Sequence, residues 1–119
     1  MNASLLNKNN KVLVTGGSGF IGGHLVEKLV ETGFKVMVWD IKEPLVKFEK
    51  DANFVRYFRF AKLDIRNQKK VRQSFQEFKP DFVFHLAAQA IVGSAYELPS
   101  EALETNVMGT VNVLEAARK

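Results

Sequence analysis

The sequence predicts an α/β chain, a doubly wound parallel sheet of about four strands with flanking helices. Three observations carry this. Short apolar segments alternate with longer ones whose apolar residues recur at helical spacing. A glycine cluster (Gly16, Gly17, Gly19 and Gly22) falls where the first apolar segment gives way to the first helical one. The 119 residues suffice for one small unit, and no repeat, low-complexity tract or linker divides them.

The elements follow in order. Lys11 to Thr15 (KVLVT) is apolar and β-branched and reads as a buried strand. From Gly19 to Thr32 the period changes: Phe20, Ile21, Leu25, Val26, Leu29 and Val30 share one helical stripe, and Gly33 supplies the left-handed residue that commonly follows a helix. Lys35 to Trp39 (KVMVW) is a second strand with Asp40 at its C-terminal end. Ile41 to Asn53, with Pro44 and several charges, reads as a surface connection with room for a helical turn.

Phe54 to Leu63 reads as a third strand, closed by Asp64. Asn67 to Lys79 is a helix with Val71, Phe75 and Phe78 on its core face and Asn67 able to cap it. Phe82 to Leu86 (FVFHL) reads as a fourth buried strand. Pro99 to Arg118 is a long final helix, with Leu103, Val107, Val111, Leu114 and Ala117 on one face. Right-handed crossovers fix the general winding, and a strand order 3-2-1-4 is expected. The fourth strand then forms an apolar edge, which predicts a weakly stable monomer or a homo-oligomer paired along that edge.

Composition sets limits. The chain is 46% hydrophobic and 25% charged, the balance of a globular protein. It has no cysteine, which excludes disulfides and thiolate metal sites. Its two histidines, His24 and His85, are far apart, so no metal site is expected. The opening MNASLLNKNN lacks the apolar core of a secretory signal, and no apolar run approaches the roughly 20 residues of a membrane helix. A cytoplasmic protein without a membrane partner is expected. The net charge is +4, and the densest basic stretch runs from Lys62 to Arg72. It contains no aromatic residue to stack a base, so it reads as a solvated helix face and no nucleic-acid partner is expected.

The sharpest motif is Thr15 to Gly22 (TGGSGFIG). Gly17, Gly19 and Gly22 satisfy G-x-G-x-x-G; Gly16, Gly19 and Gly22 satisfy G-x-x-G-x-x-G. The motif follows a predicted strand, opens a predicted helix and has an acidic residue, Asp40, 18 positions after Gly22. That context points to a Rossmann-type dinucleotide site. The first glycines allow a tight turn, Gly19 lets the backbone approach a pyrophosphate, and Gly22 lets the helix pack closely. Free N–H groups and the positive dipole end at the helix start favour phosphate. No Lys-Ser or Lys-Thr follows, so this is not a mononucleotide P-loop. Asp40 is placed to accept hydrogen bonds from the adenosine ribose and to repel a 2′-phosphate, which favours NAD over NADP; Lys42 softens that preference. Asp64 is placed to meet the adenine. Turn or capping roles are the plain alternatives for Asp40 and Asp64.

These residues resemble the extended short-chain dehydrogenase/reductase family, the NAD-dependent sugar-nucleotide epimerases and dehydratases. The matching pieces are TGGSGFIGGHL, WD at Trp39–Asp40, DI at Asp64–Ile65, HLAAQ at His85–Gln89 and TNVMGTVNVLEA from Thr105. HLAAQAIVGSAYELP followed by ETNVMGT, with Gln89, Ser94 and Pro99, is most similar to the CDP-glucose and GDP-mannose type 4,6-dehydratases, although the CDP-glucose enzymes tend to carry lysine where Ile21 stands.

The resemblance implies roles at matching positions. Gly16, Gly19, Phe20 and Ile21 would surround the pyrophosphate. Asp64 by its side chain and Ile65 by its backbone would contact the adenine. Leu86, Ala87 and Ala88 would run under the cofactor, Asn106 would lie near the catalytic centre, and Gln89 and Ser94 at the substrate edge. Against these stand a buried strand end at Leu86–Ala88, a capping or kinking role for Asn106, and a satisfied core role for His85.

The family's chemistry resides in a Tyr-x-x-x-Lys pair. Tyr57 is followed four positions on by Ala61 and Tyr96 by Ser100, so no catalytic residue is assigned. The chain reads as the front portion of an NAD-binding domain, inactive alone, with the catalytic pair and the substrate domain lying beyond it. The whole protein would oxidise a nucleotide sugar at C4, eliminate water and return the hydride, or epimerise at C4. A stand-alone NAD-binding module without turnover and a structural or nucleic-acid-binding protein are the competing classes.

Overall fold

The chain was analysed as a computed structural model that describes residues 9–44, 52–88, 97 and 99–118. Four strands form one parallel sheet in the order β3-β2-β1-β4: β1 (Lys11–Thr15), β2 (Lys35–Asp40), β3 (Phe58–Lys62) and β4 (Phe82–His85). The register pairs Thr15 with both Trp39 and His85, and Asp40 with Lys62, so the strands end together along one edge.

Period-two alternation divides the core between the two faces of the sheet. Val12 and Val14 of β1 and Val36 and Val38 of β2 pack with Val26, Val30 and Phe34 of helix α1 (Phe20–Thr32) and its exit. Leu13 and Trp39 pack on the opposite side with Leu63, Ile65, Val71 of α3 (Gln68–Phe78) and Val113 near the end of the chain. Both predicted caps form. Gly33 takes the left-handed conformation (φ 100°) after α1. The Asn67 side chain accepts a hydrogen bond from the Lys70 amide at 3.1 Å to open α3. The basic residues Lys62, Arg66, Lys69, Lys70 and Arg72 all face solvent.

Four expectations require correction. The first concerns Phe54–Leu63, which divides into helix α2 (Ala52–Tyr57) and strand β3. The run FVRYFRF offers aromatic residues at both periods. Phe54 and Tyr57 meet the core three residues apart, as on a helix, whereas Phe58 and Phe60 meet it two apart, as on a strand.

The second concerns β4, in which no residue is fully buried. It is the outermost strand beside β1, and Phe84 is 40% exposed on it.

The third concerns the last helix. It comprises α4 (Pro99–Leu103), a π-helical segment (Glu104–Gly109) and α5 (Thr110–Arg118). The stripe expected in the core is the exposed one: Leu103 and Leu114 are each 63% exposed, and Val107 and Val111 are also exposed. The helix packs instead through Ala102, Gly109, Asn112 and Val113. Gly109 permits this, because a Cβ there would lie 2.5 Å from Ile65 Cδ1.

The fourth concerns α1, whose stripe packs only from Leu25 onward. Phe20 and Ile21 in its first turn are 81% and 72% exposed. The connection around residues 45–51, and Gln89, Ser94 and Tyr96, lie outside the described residues.

Candidate functional site

The strands on either side of β1 lead to opposite flanks of the sheet, so the carboxyl ends of β1 and β4 frame a topological switch point, where ligands of open α/β sheets bind. Residues 16–19 leave β1 there. Gly16 has φ +72°, and a Cβ on it would lie 2.7 Å from the Ala87 amide nitrogen and the Leu86 carbonyl carbon. The backbone after β1 thus rests directly on the backbone after β4. Gly17 is held against Val38 and Val26 in the same way. Gly22 brings α1 against Gly16 and Gly17 of the turn, rather than against the strand itself.

Gly19 differs from these. It is the N-cap of α1 in an extended conformation (φ −77°, ψ 179°), and a Cβ there would meet only the Gly16 carbonyl oxygen, at an ordinary 3.6 Å. Neither dihedral strain nor packing among the described residues demands glycine here. No side chain caps α1, and its first turn has no acidic residue. Its leading amides and its positive dipole end are left for an anion. The Ser18 hydroxyl beside them is buried and makes no hydrogen bond among the described residues.

Asp40 braces this turn. Its Oδ2 accepts from the Ser18 amide and its Oδ1 from the Lys42 amide, both at 3.1 Å. A carboxylate offers about four acceptor sites, so capacity remains for further donors. The turn role and a ligand role are therefore compatible.

Asp64 carries a partner that the sequence reading missed. Arg66 Nη2 lies 2.6 Å from its Oδ2, Arg66 Nε reaches both oxygens, and the Arg66 amide donates to Oδ1. The guanidinium holds the carboxyl below its ordinary pKa, partly opposed by burial, and the carboxylate raises that of Arg66 in return. Arg66 also approaches Glu101 at 3.9 Å and Glu104 at 3.8 Å, which ties the β3 exit to the last helix. Ile65 is buried, and its carbonyl accepts from Asn112 Nδ2 at 2.9 Å. Asn112 was quoted within a motif, but its burial could not be read from spacing.

At the end of β4, Leu86 and Ala87 donate their amides to Thr15 Oγ1 at 3.1 and 3.2 Å. Thr15 Oγ1 lies 2.6 Å from His85 Nδ1, and His85 Nε2 lies 2.9 Å from Thr110 Oγ1. Thr110 in turn donates to the Asn106 carbonyl at 2.8 Å. His85 is the satisfied, half-buried histidine that was the plain expectation, and burial pushes its pKa below the ordinary value. Leu86 and Ala88 are exposed, Ala87 is half-buried, and Asn106 is an exposed residue of the π-helical segment.

The structure therefore gathers Gly16, Gly19, Phe20, Ile21, Gly22 and Asp40 around one helix start, with Leu86 and Ala87 against it. Asp64 and Ile65 lie at the exit of β3. Asn106 connects to the turn through Thr110, His85 and Thr15. Among the described residues, no group of three potential metal ligands occurs, and no helix is long and apolar enough to cross a membrane.

The family model described as GDP-mannose 4,6 dehydratase matches residues 13–119. The chain belongs to this family. It is 39% identical over 118 residues to the CDP-glucose 4,6-dehydratase of Salmonella typhimurium, a match covering 94% of this chain and 32% of that protein. Among solved structures, it is similar to a Thermus thermophilus UDP-glucose 4-epimerase in complex with NAD, with a TM-score of 0.77 and 40% identity over 91% of this chain and 33% of that one. A Thermotoga maritima UDP-glucose 4-epimerase with UDP-glucose gives a TM-score of 0.78 and 38% identity over 90% and 33% of the two chains. The chain spans about a third of the length of these relatives.

Proposed function

We propose that the chain is the NAD-holding portion of a sugar-nucleotide 4,6-dehydratase. Gly19 carries this reading. It is a glycine at a helix start without a side-chain cap, and no contact among the described residues requires its missing side chain, which fits a group that must approach the backbone. A dinucleotide pyrophosphate fits that constraint. Gly16, Gly19, Phe20, Ile21 and Gly22 would surround it, and the buried Ser18 hydroxyl stands beside it.

Asp40 would use its remaining acceptor capacity on the adenosine ribose hydroxyls, and its charge would repel a 2′-phosphate. Asp64 and Ile65 would border the adenine, with the Arg66 guanidinium sharing the Asp64 carboxylate. Leu86, Ala87 and Ala88 would continue under the cofactor toward its nicotinamide half, and Asn106 would stand near the reacting sugar.

When held by these residues, NAD would supply a hydride acceptor for oxidation of the nucleotide sugar at C4 and a hydride to be returned after loss of water. This chain's own part is to bind and orient that group. A Tyr-x-x-x-Lys pair elsewhere in the whole protein would handle the proton of the C4 hydroxyl. A 4-epimerase is the second reading, favoured by the solved structures to which the chain is similar. It shares the oxidation at C4 and would use this portion identically.

The test is a calorimetric titration of the chain with NAD, with NADP and with Asp40→Ala. Saturable NAD binding, weaker for NADP and weakened by Asp40→Ala, is expected. No binding by a folded chain would sink the reading. In the whole protein, a 4-keto-6-deoxy product separates the dehydratase from the epimerase.

A further inference from the structure

Counting hydrogens fixes the direction of the bonds that join β1, β4 and the last helix. Each threonine hydroxyl has one proton to give. Thr110 gives its proton to the Asn106 carbonyl, so it accepts from His85 Nε2–H. The neutral imidazole then presents Nδ1 as an acceptor, which takes the proton of Thr15 Oγ1. Thr15 is left with lone pairs only, and these receive the Ala87 amide and a share of the Leu86 amide, which also donates to the Thr15 carbonyl at 2.9 Å.

Every bond in this chain points from the β4 exit toward the π-helical segment. The opposite tautomer would direct three donors at Thr15 Oγ1 and leave its own proton without an acceptor in a side chain that is fully buried. Strand parity places the chain on one side of the sheet: Thr15 shares a face with Leu13, and His85 with Val83, both on the α3–α5 side. The amides it holds belong to the two residues on which Gly16 rests.

We propose that Thr110 and His85 are positioning residues of the dinucleotide site: they orient Thr15 so that it clamps the Leu86–Ala87 backbone against Gly16. Neither side chain need touch the ligand. The inference rests on the dinucleotide reading above, and it assigns the relay to the half of the cofactor that lies over Leu86–Ala88 rather than to the adenosine half held by Asp40.

The test uses nitrogen NMR on the chain, with Thr110→Val and Thr110→Ser beside the parent. In the parent, His85 should be the neutral Nε2–H tautomer. Thr110→Val should shift the Leu86 and Ala87 amides and reduce the exchange protection of Ala87, since Leu86 keeps its bond to the Thr15 carbonyl, and Thr110→Ser should restore both. Affinity for NAD should fall about tenfold in Thr110→Val and return in Thr110→Ser, while affinity for AMP stays unchanged. An Nδ1–H tautomer, unmoved Leu86 and Ala87 amides, or equal losses for NAD and AMP would each overturn the proposal. A parent chain that binds neither NAD nor AMP would overturn the dinucleotide reading and the site role with it; responsive amides in that chain would identify the relay as a purely structural link.

Discussion

Gly22 and Gly16 meet backbone to backbone: a Cβ on Gly22 would run into the Gly16 carbonyl oxygen and lie 2.7 Å from Gly17 Cα. Gly19, three residues from each, has no such neighbour among the described residues. Similar glycines in one motif therefore answer to different constraints: that on Gly22 is internal, and the proposed function makes that on Gly19 external. Gly22→Ala should destabilise the chain by about 1–3 kcal/mol, the range for overpacking a close contact. Gly19→Ala should leave the melting temperature nearly unchanged and still weaken NAD binding at least tenfold, because its Cβ would project where the pyrophosphate approaches. Thermal unfolding and calorimetry on the two variants separate the roles, and a Gly19→Ala chain that binds normally would contradict the external constraint.

This division marks how far the sequence could be read. The glycine turn, Asp40 at its strand end and the Asn67 cap were all legible, because each depends on local spacing or on a residue with a restricted conformation; the strand order came with the family resemblance. The partners of those residues were not. Arg66 stands two positions from Asp64 in plain view, but only the turn after β3 folds its guanidinium back onto the carboxylate. Thr15, His85 and Thr110 are brought together by strand register and helix docking, which no local pattern encodes.

The last helix shows the same limit in reverse. Its large apolar residues formed a convincing helical stripe, but the buried residues are Ala102, Gly109, Asn112 and Val113, and Gly109 lets the helix approach Ile65 closely. Val113→Ala should therefore cost about 2 kcal/mol, from lost burial plus a cavity beside Leu13 and Val71. Leu114→Ala, one residue along the helix, should cost less than about 0.5 kcal/mol. Urea unfolding of both variants checks the assignment, and the reverse ranking would return the stripe to the core.

The Asp64–Arg66 pair sets an acid limit of its own. The Asp64 pKa is lowered in the folded chain from its ordinary 3.8, so the pair's contribution is present above that value and is lost as pH falls through the folded one. Both side chains are about one-third exposed, so solvent screening keeps the gain small. In Arg66→Gln, the Asp64 carboxyl should titrate closer to its ordinary value while the melting temperature at neutral pH barely changes. Carbon NMR of the Asp64 carboxyl follows this directly, and an unshifted titration would show that Arg66 is not its partner in solution.

His85 acts in a different pH window. Burial lowers its pKa in the folded chain below the 6.5 it has when exposed. Well above pH 6.5 the imidazole is neutral in both states and pH has no effect through it. As pH falls below 6.5 the unfolded chain takes up a proton that the folded chain resists, so stability declines until the folded pKa is passed, and then levels off. The hydrogen-bond chain gives a structural reason for the resistance, since a protonated Nδ1 would point a donor at the Thr15 hydroxyl, which already receives two amides. His85→Gln should be less stable than the parent at pH 8, because it breaks the chain, and should lack the parent's loss of stability between pH 6.5 and the folded pKa. Denaturant unfolding across that range, repeated for both proteins, tests this. A parent profile that is flat there, or a variant that keeps the same slope, would mean that His85 takes up its proton in the folded state as readily as in the unfolded one.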